Sequence, residues 1–116
     1  MKVTSKICMT KDVGLNSYLF GGNMMAWADE AAAIFARQVT KEDNLVTMKF
    51  GEFLFKKPVK VGDIVEFLCD NPHIGNTSVS FQVYAYVKDV VVLETSCVFV
   101  AIGEDGHSKV IDKSKL

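Results

Sequence analysis

The apolar and polar positions divide the chain into one helical stretch and a series of extended ones. From Met24 to Ala36 every residue but Asp29 and Glu30 is apolar, and alanine is frequent. A helix that is apolar around most of its circumference is normally a buried one. The helix is predicted to start near Gly22 or Asn23, with Asn23 as N-cap, and to run to about Gln38. Residues 3–10 alternate loosely and read as a first strand, followed by a loop over 11–17 rich in Asp, Gly, Asn and Ser. After the polar break Lys41-Glu42-Asp43-Asn44 everything reads as strands. Residues 45–55 are β-branched and aromatic until Pro58 stops them, and 64–69 form a short strand. Asn71 to Asn76 reads as a turn. The cleanest alternation runs from Thr77 to Lys88, with Val79, Phe81, Val83, Ala85 and Val87 on one face. A last strand, Val90 to Ile102, leads to a polar tail from about residue 103 that is expected to be loose.

Strand, helix, then four strands with short connections implies an α+β domain with a largely antiparallel five-stranded sheet. Two architectures fit. An amphipathic helix would suit a cystatin-like sheet gripping it from one side. A helix apolar nearly all round favours the hotdog fold, in which the sheet wraps around one long central helix. At 116 residues the chain is expected to be a single domain, 1–116. One helix is little cover for five strands, so oligomerisation is the expected way to hide the remaining apolar surface.

Charge narrows the function classes. Thirteen Lys and Arg against fourteen Asp and Glu give a net charge of −1, which argues against a nucleic-acid binder. Cys8, Cys69 and Cys97 are widely spaced in strand-like surroundings, as expected of reduced core thiols rather than a disulfide framework or a zinc site. The opening residues lead into no continuous apolar run, and the helix is too short to span a bilayer, so neither a signal peptide nor a membrane span is expected. The expected location is cytoplasmic.

The chemistry centres on Asp29. On a helix its neighbours at three- and four-residue spacing are Met25, Ala26, Ala32 and Ala33, apolar and mostly small. A carboxylate in such company is costly unless it has a partner or a job. It could serve as a general base, or it could be a structural acid paired to a lysine or to backbone amides. Glu30 points about 100° away and reads as a structural partner. Gly21 and Gly22 at the helix start would let backbone N–H groups approach a ligand closely, where the helix dipole favours a developing negative charge. A tight turn would need the same pair.

These residues carry a family pattern. Asp12 to Asn16, Leu19-Phe20-Gly21-Gly22, Met25, Trp27 and Asp29-Glu30-Ala31 resemble the acyl-CoA thioesterases of the hotdog superfamily, in the YciA-like branch related to the cytosolic acyl-CoA hydrolases. The likeness continues through Val46-Thr47, Phe55, Lys57-Pro58-Val59, Val61-Gly62-Asp63, Gly75, Thr77-Ser78, Phe99-Val100-Ala101 and Asp105-Gly106. The resemblance implies hydrolysis of an acyl-CoA to a free acid and CoA. Asp29 would be the catalytic acid, as general base or nucleophile, with Gly21 and Gly22 holding the thioester carbonyl and Asn16 assisting. Asp12, Phe20, Lys57, Gly75, Asn76, Thr77 and Ser78 would bind the substrate. It implies no metal and no cofactor beyond the substrate's own coenzyme A. It also implies a homodimer with active sites at the subunit interface, assembled further to a tetramer or hexamer.

The chain departs from that pattern at two positions. Relatives commonly have an asparagine two residues after the aspartate matching Asp12, where this chain has Gly14. The turn before Thr77 usually carries a basic residue for the CoA phosphates, and here it is Asn76, with Lys56, Lys57 and Lys60 as substitutes. Another hotdog branch places its catalytic aspartate where Asp12 lies. Two other readings share the fold: an acyl-CoA binder without turnover, and a hydratase or dehydratase, which would need a histidine beside the acid.

Overall fold

The computed structural model describes residues 1–116. Its elements are β1 (Lys2–Ile7), a 3-10 turn (Thr10–Asp12), α1 (Gly21–Thr40), β2 (Leu45–Phe50), β3 (Leu54–Phe55), β4 (Ile64–Ile74), β5 (Ser78–Val87) and β6 (Val90–Ala101). The strands form one antiparallel sheet in the order β1-β4-β5-β6-β2, with β3 also on β6. The sheet curls around α1, which is the hotdog arrangement expected.

The core lies between helix and sheet. Val79, Phe81, Val83 and Ala85 of β5 are buried, as their alternation demands, and Phe81 stands edge-on to Phe35 of α1 with ring centroids 4.8 Å apart. Cys8, Cys69 and Cys97 are all free and buried. Burial pushes the Cys69 and Cys97 thiols up to about 12, which leaves neither as a nucleophile.

Five expectations are corrected. The helix begins earlier, at Gly21, with Phe20 in the N-cap position, and Asn23 instead sends its side-chain amide back to the Asp12 carbonyl at 2.9 Å. It is also buried on one side only: Met24, Ala28, Ala31, Ala32, Phe35 and Ala36 face the sheet, while Met25, Ala26 and Ile34 are open in a single chain. The stretch 45–55 is two strands, and at Gly51 between them the backbone comes so close to Ser96 that a Cβ would sit 2.8 Å from its hydroxyl. Asn71 to Ile74 is not a turn. It belongs to β4, bulged where Asn71 adopts a φ of 59°, and the bulge accommodates Pro72 in the strand. The chain reverses one step later, at Gly75–Ser78, where the Gly75 N–H donates to the Ser78 carbonyl at 2.8 Å.

The polar tail is held rather than loose. Ile111 is 1% exposed, and the N–H groups of Lys109 and Ile111 donate to Ala101 and Asn76 at 2.8 and 2.9 Å.

Candidate active site

The loop before the helix is organised by Asp12. It is almost fully buried, its carboxylate accepts from the Met9 N–H at 2.9 Å and from Lys11 Nζ at 3.1 Å, and its backbone carbonyl accepts from the Phe20 N–H and the Asn23 amide. The Met9 amide, then Lys11, hold the Asp12 carboxyl below its usual range. With both oxygens engaged, this side chain pins the loop to the helix start and does not present itself to a ligand.

That pinning fixes the first turn of α1. The Asn23 and Met24 N–H groups donate to the Phe20 carbonyl at 3.0 and 3.1 Å, which leaves the amides of Gly21 and Gly22 without an acceptor in the chain. A Cβ at Gly22 would lie 2.9 Å from the Phe20 ring, and Phe20 itself is exposed. The free amides open beside a cleft of about 290 Å³ whose walls include Asn16, Gly21, Met24, Phe55, Lys57 and Val59. Asn16 keeps its side-chain oxygen on the Tyr18 N–H at 3.1 Å, as an Asx turn does. Phe55 heads a file of stacked rings, with Phe53 at 6.2 Å and Phe50 a further 5.1 Å on.

Asp29 stands apart from that cleft. It lies in mid-helix, half-buried, and its Oδ1 accepts from the Thr47 hydroxyl at 2.8 Å. Thr47 belongs to β2, an edge strand of the sheet. Sequence reasoning assigned no role to Thr47; the only signal was its place in the family pattern. Glu30, about 100° round the helix, pairs with Lys6 of β1 at 3.0 Å, a structural role.

Gly75, Asn76, Thr77 and Ser78 are at the opposite end of the molecule. Ser78 pairs with Val100 and Leu45 with Ala101, at the end where α1 finishes, whereas Phe55 beside Gly21 pairs with Leu93. The structure therefore gathers Asn16, Phe20, Gly21, Gly22 and Lys57 around one end of α1, keeps Asp29 midway, and leaves the Gly75–Ser78 turn at the other end. The largest hollow, about 730 Å³, is polar, lies by the C-terminal end of α1, and includes none of these residues. No group of His, Cys, Asp and Glu side chains is arranged to hold a metal ion. No helix is long and apolar enough to cross a membrane.

Known proteins are similar to this chain in sequence and fold. The family model of the thioesterase superfamily matches residues 16–94. An uncharacterized acyl-CoA thioester hydrolase of Haemophilus influenzae is 30% identical over 116 residues, covering 92% of this chain and 75% of that protein. The acyl-CoA thioester hydrolase YciA of Escherichia coli K12 is 33% identical over 88 residues, 76% of this chain and 66% of that one. The solved structure of a hexameric thioesterase from Yersinia pestis has a TM-score of 0.90 at 26% identity, covering 97% of this chain and 96% of that one.

Proposed function

The chain belongs to the thioesterase superfamily, in its YciA-like acyl-CoA branch, and from that premise we propose how its residues hydrolyse an acyl-CoA to a free acid and CoA. Asp29 is the catalytic acid, delivering a water to the thioester carbonyl or attacking it directly. The amides of Gly21 and Gly22 take the oxyanion as it forms, where two unpartnered N–H groups and the helix dipole favour negative charge. Collapse of the tetrahedral centre expels the CoA thiolate, and on the direct route a water then hydrolyses the acyl–Asp29 anhydride to release the acid. Thr47 orients the carboxylate through its hydrogen bond.

The observation that carries this reading is the pair of free amides at Gly21 and Gly22 on the helix that also presents Asp29. Its geometry adds a condition. Eight residues of helix separate Gly21 from Asp29, about 12 Å along the axis, so the two cannot serve one carbonyl from one chain. The amides of one copy work with the aspartate of another. The open edge of β2, with exposed Val46 and Met48, and the uncovered Met25 beside it support a dimer built there. Antiparallel pairing of that edge with its copy reverses the partner's helix. It carries the partner's Asp29 and its Gly75–Ser78 turn toward this copy's Gly21. Lys57 and that turn then bind the CoA moiety. The Yersinia relative is hexameric, and three such dimers are the assembly we infer here.

A hydratase is disfavoured by the placement of both histidines. His73 pairs with Ser80 on the sheet and His107 sits in the tail, neither beside Asp29.

The test is thiol release from acyl-CoAs ranging from acetyl to palmitoyl, with Asp29→Asn as control. Hydrolysis by the wild type and near-complete loss in the variant is the expected result. Tight CoA binding with no turnover at any chain length would replace the enzyme by a binding protein.

A further inference from the structure

Two carboxylates are buried without a part in the proposed chemistry; Asp12 pins the loop before α1, and Glu42 lies at the other end of the helix. Glu42, two residues beyond α1, is 4% exposed. Its stem is tied to the helix, because its N–H donates to the Thr40 hydroxyl at 3.2 Å and that hydroxyl donates to the Ala36 carbonyl at 2.8 Å. Its head is tied to the tail: Oε1 accepts from Lys109 Nζ at 2.8 Å and Oε2 from the Asp112 N–H at 3.2 Å. Between those two attachments lies Ile111, buried, with its N–H on the Asn76 carbonyl at 2.9 Å. On the other flank of the same turn the Ala101 N–H donates to the Thr77 carbonyl at 2.9 Å.

We propose that Glu42 is a positioning residue for the CoA end of the substrate, clamping tail residues 109–112 so that Ile111 fixes the Gly75–Ser78 turn. This rests on the reading above that the turn binds CoA. The physical argument concerns register. Burying Ile111 favours closing the tail, but apolar contact is non-directional and tolerates sliding. A buried carboxylate is costly unless its oxygens are bonded, and here each accepts one bond from a different tail residue. Those two bonds set the tail to within one residue, and so decide which N–H meets Asn76. Gly75, Asn76, Thr77 and Ser78 are all uncharged, so the turn itself brings no cation with which to hold a phosphate. A turn with a fixed backbone, presenting the hydroxyls of Thr77 and Ser78, depends more on geometry for the same task.

The experiment compares two thioesters of one acyl group, the acyl-CoA and the acyl-N-acetylcysteamine, which lacks the nucleotide. In Glu42→Ala, kcat/KM for the acyl-CoA should fall about tenfold through KM, with kcat within about twofold of wild type and the short thioester unaffected. Glu42→Gln, which restores part of the bonding, should recover part of the loss. Lys109→Ala, at an exposed partner, provides the same readout if the buried substitution does not fold. An equal loss on both thioesters, or an unchanged KM for the acyl-CoA, would overturn the proposal. Amide exchange at residues 75–78 tests the clamp without activity. Faster exchange in the variants supports it even if the wild type hydrolyses nothing, and unchanged exchange refutes it.

Discussion

Thr47 reaches across from the edge strand to Asp29, hydroxyl to carboxylate, at 2.8 Å. One oxygen of the carboxylate is thereby committed, and the other is left for a water or a carbonyl carbon. Asp29→Asn keeps an acceptor for Thr47 and so should fold as the wild type does, while kcat falls about 10²–10⁴-fold. Thr47→Val removes the hydroxyl at nearly constant volume and should cost about tenfold in kcat, and Thr47→Ser should restore most of it. Steady-state kinetics with melting curves as the fold control decide both.

Gly21→Pro isolates the helix amide. Proline is well tolerated at the first helical position, and Phe20 before it already has the extended backbone, ψ 133°, that a following proline requires. The substitution deletes one N–H and leaves the helix intact. We expect a small change in melting temperature and a loss of about 10²–10³-fold in kcat. A fully active Gly21→Pro protein would remove that amide from the oxyanion site.

Met48 is 67% exposed on the β2 edge. Met48→Glu brings two like charges into a short pairing of that edge with its copy, and should convert the assembly to monomers. On the proposed two-copy site, activity should vanish with the dimer although the monomer stays folded. Light scattering and thiol release, measured on the same sample, check the two halves of that statement.

Three hydrogen-bonded carboxylates set the acid limit, two of them buried and Asp112 exposed. Hydrogen bonds from Lys109 and from the Asp112 N–H hold Glu42 below its ordinary value of 4.5, Met9 and Lys11 do the same for Asp12, and Ser114 for Asp112. A carboxyl lowered in the folded state stabilises the fold above its ordinary value, and that stability is lost as pH falls through the folded one. Lys109, raised first by its bond to Glu42, behaves oppositely and loses its contribution only as pH rises beyond the ordinary lysine range. Stability should therefore be flat from about pH 6 to 8 and fall in acid below about 4.5. Glu42→Gln should flatten that acid limb in denaturant titrations at several pH values.

How much of this was legible beforehand depended on the range of the interaction. The alternation of β5 is local, so Val79 to Ala85 were placed on the core face correctly. The apolar run marks the helix but not its burial: Met25 and Ile34 are apolar yet open in the single chain, and one sequence does not distinguish an apolar surface from a core. Asn23 matched a capping residue locally and was recruited over eleven residues by the Asp12 carbonyl instead. Pro72 and Asn71 looked like a turn because bulge and turn need the same backbone, a positive φ and a missing N–H. Glu42 gave no signal at all, since its partners lie 67 and 70 residues away.

The spacing of Gly21 and Asp29 along one helix has a genetic consequence. A subunit carrying Gly21→Pro still offers a sound aspartate, and one carrying Asp29→Asn still offers sound amides. Each pure protein would be inactive. Mixed and reassembled, every heterodimer would hold one intact site and one doubly damaged one, so about a quarter of the wild-type activity would return from two dead proteins.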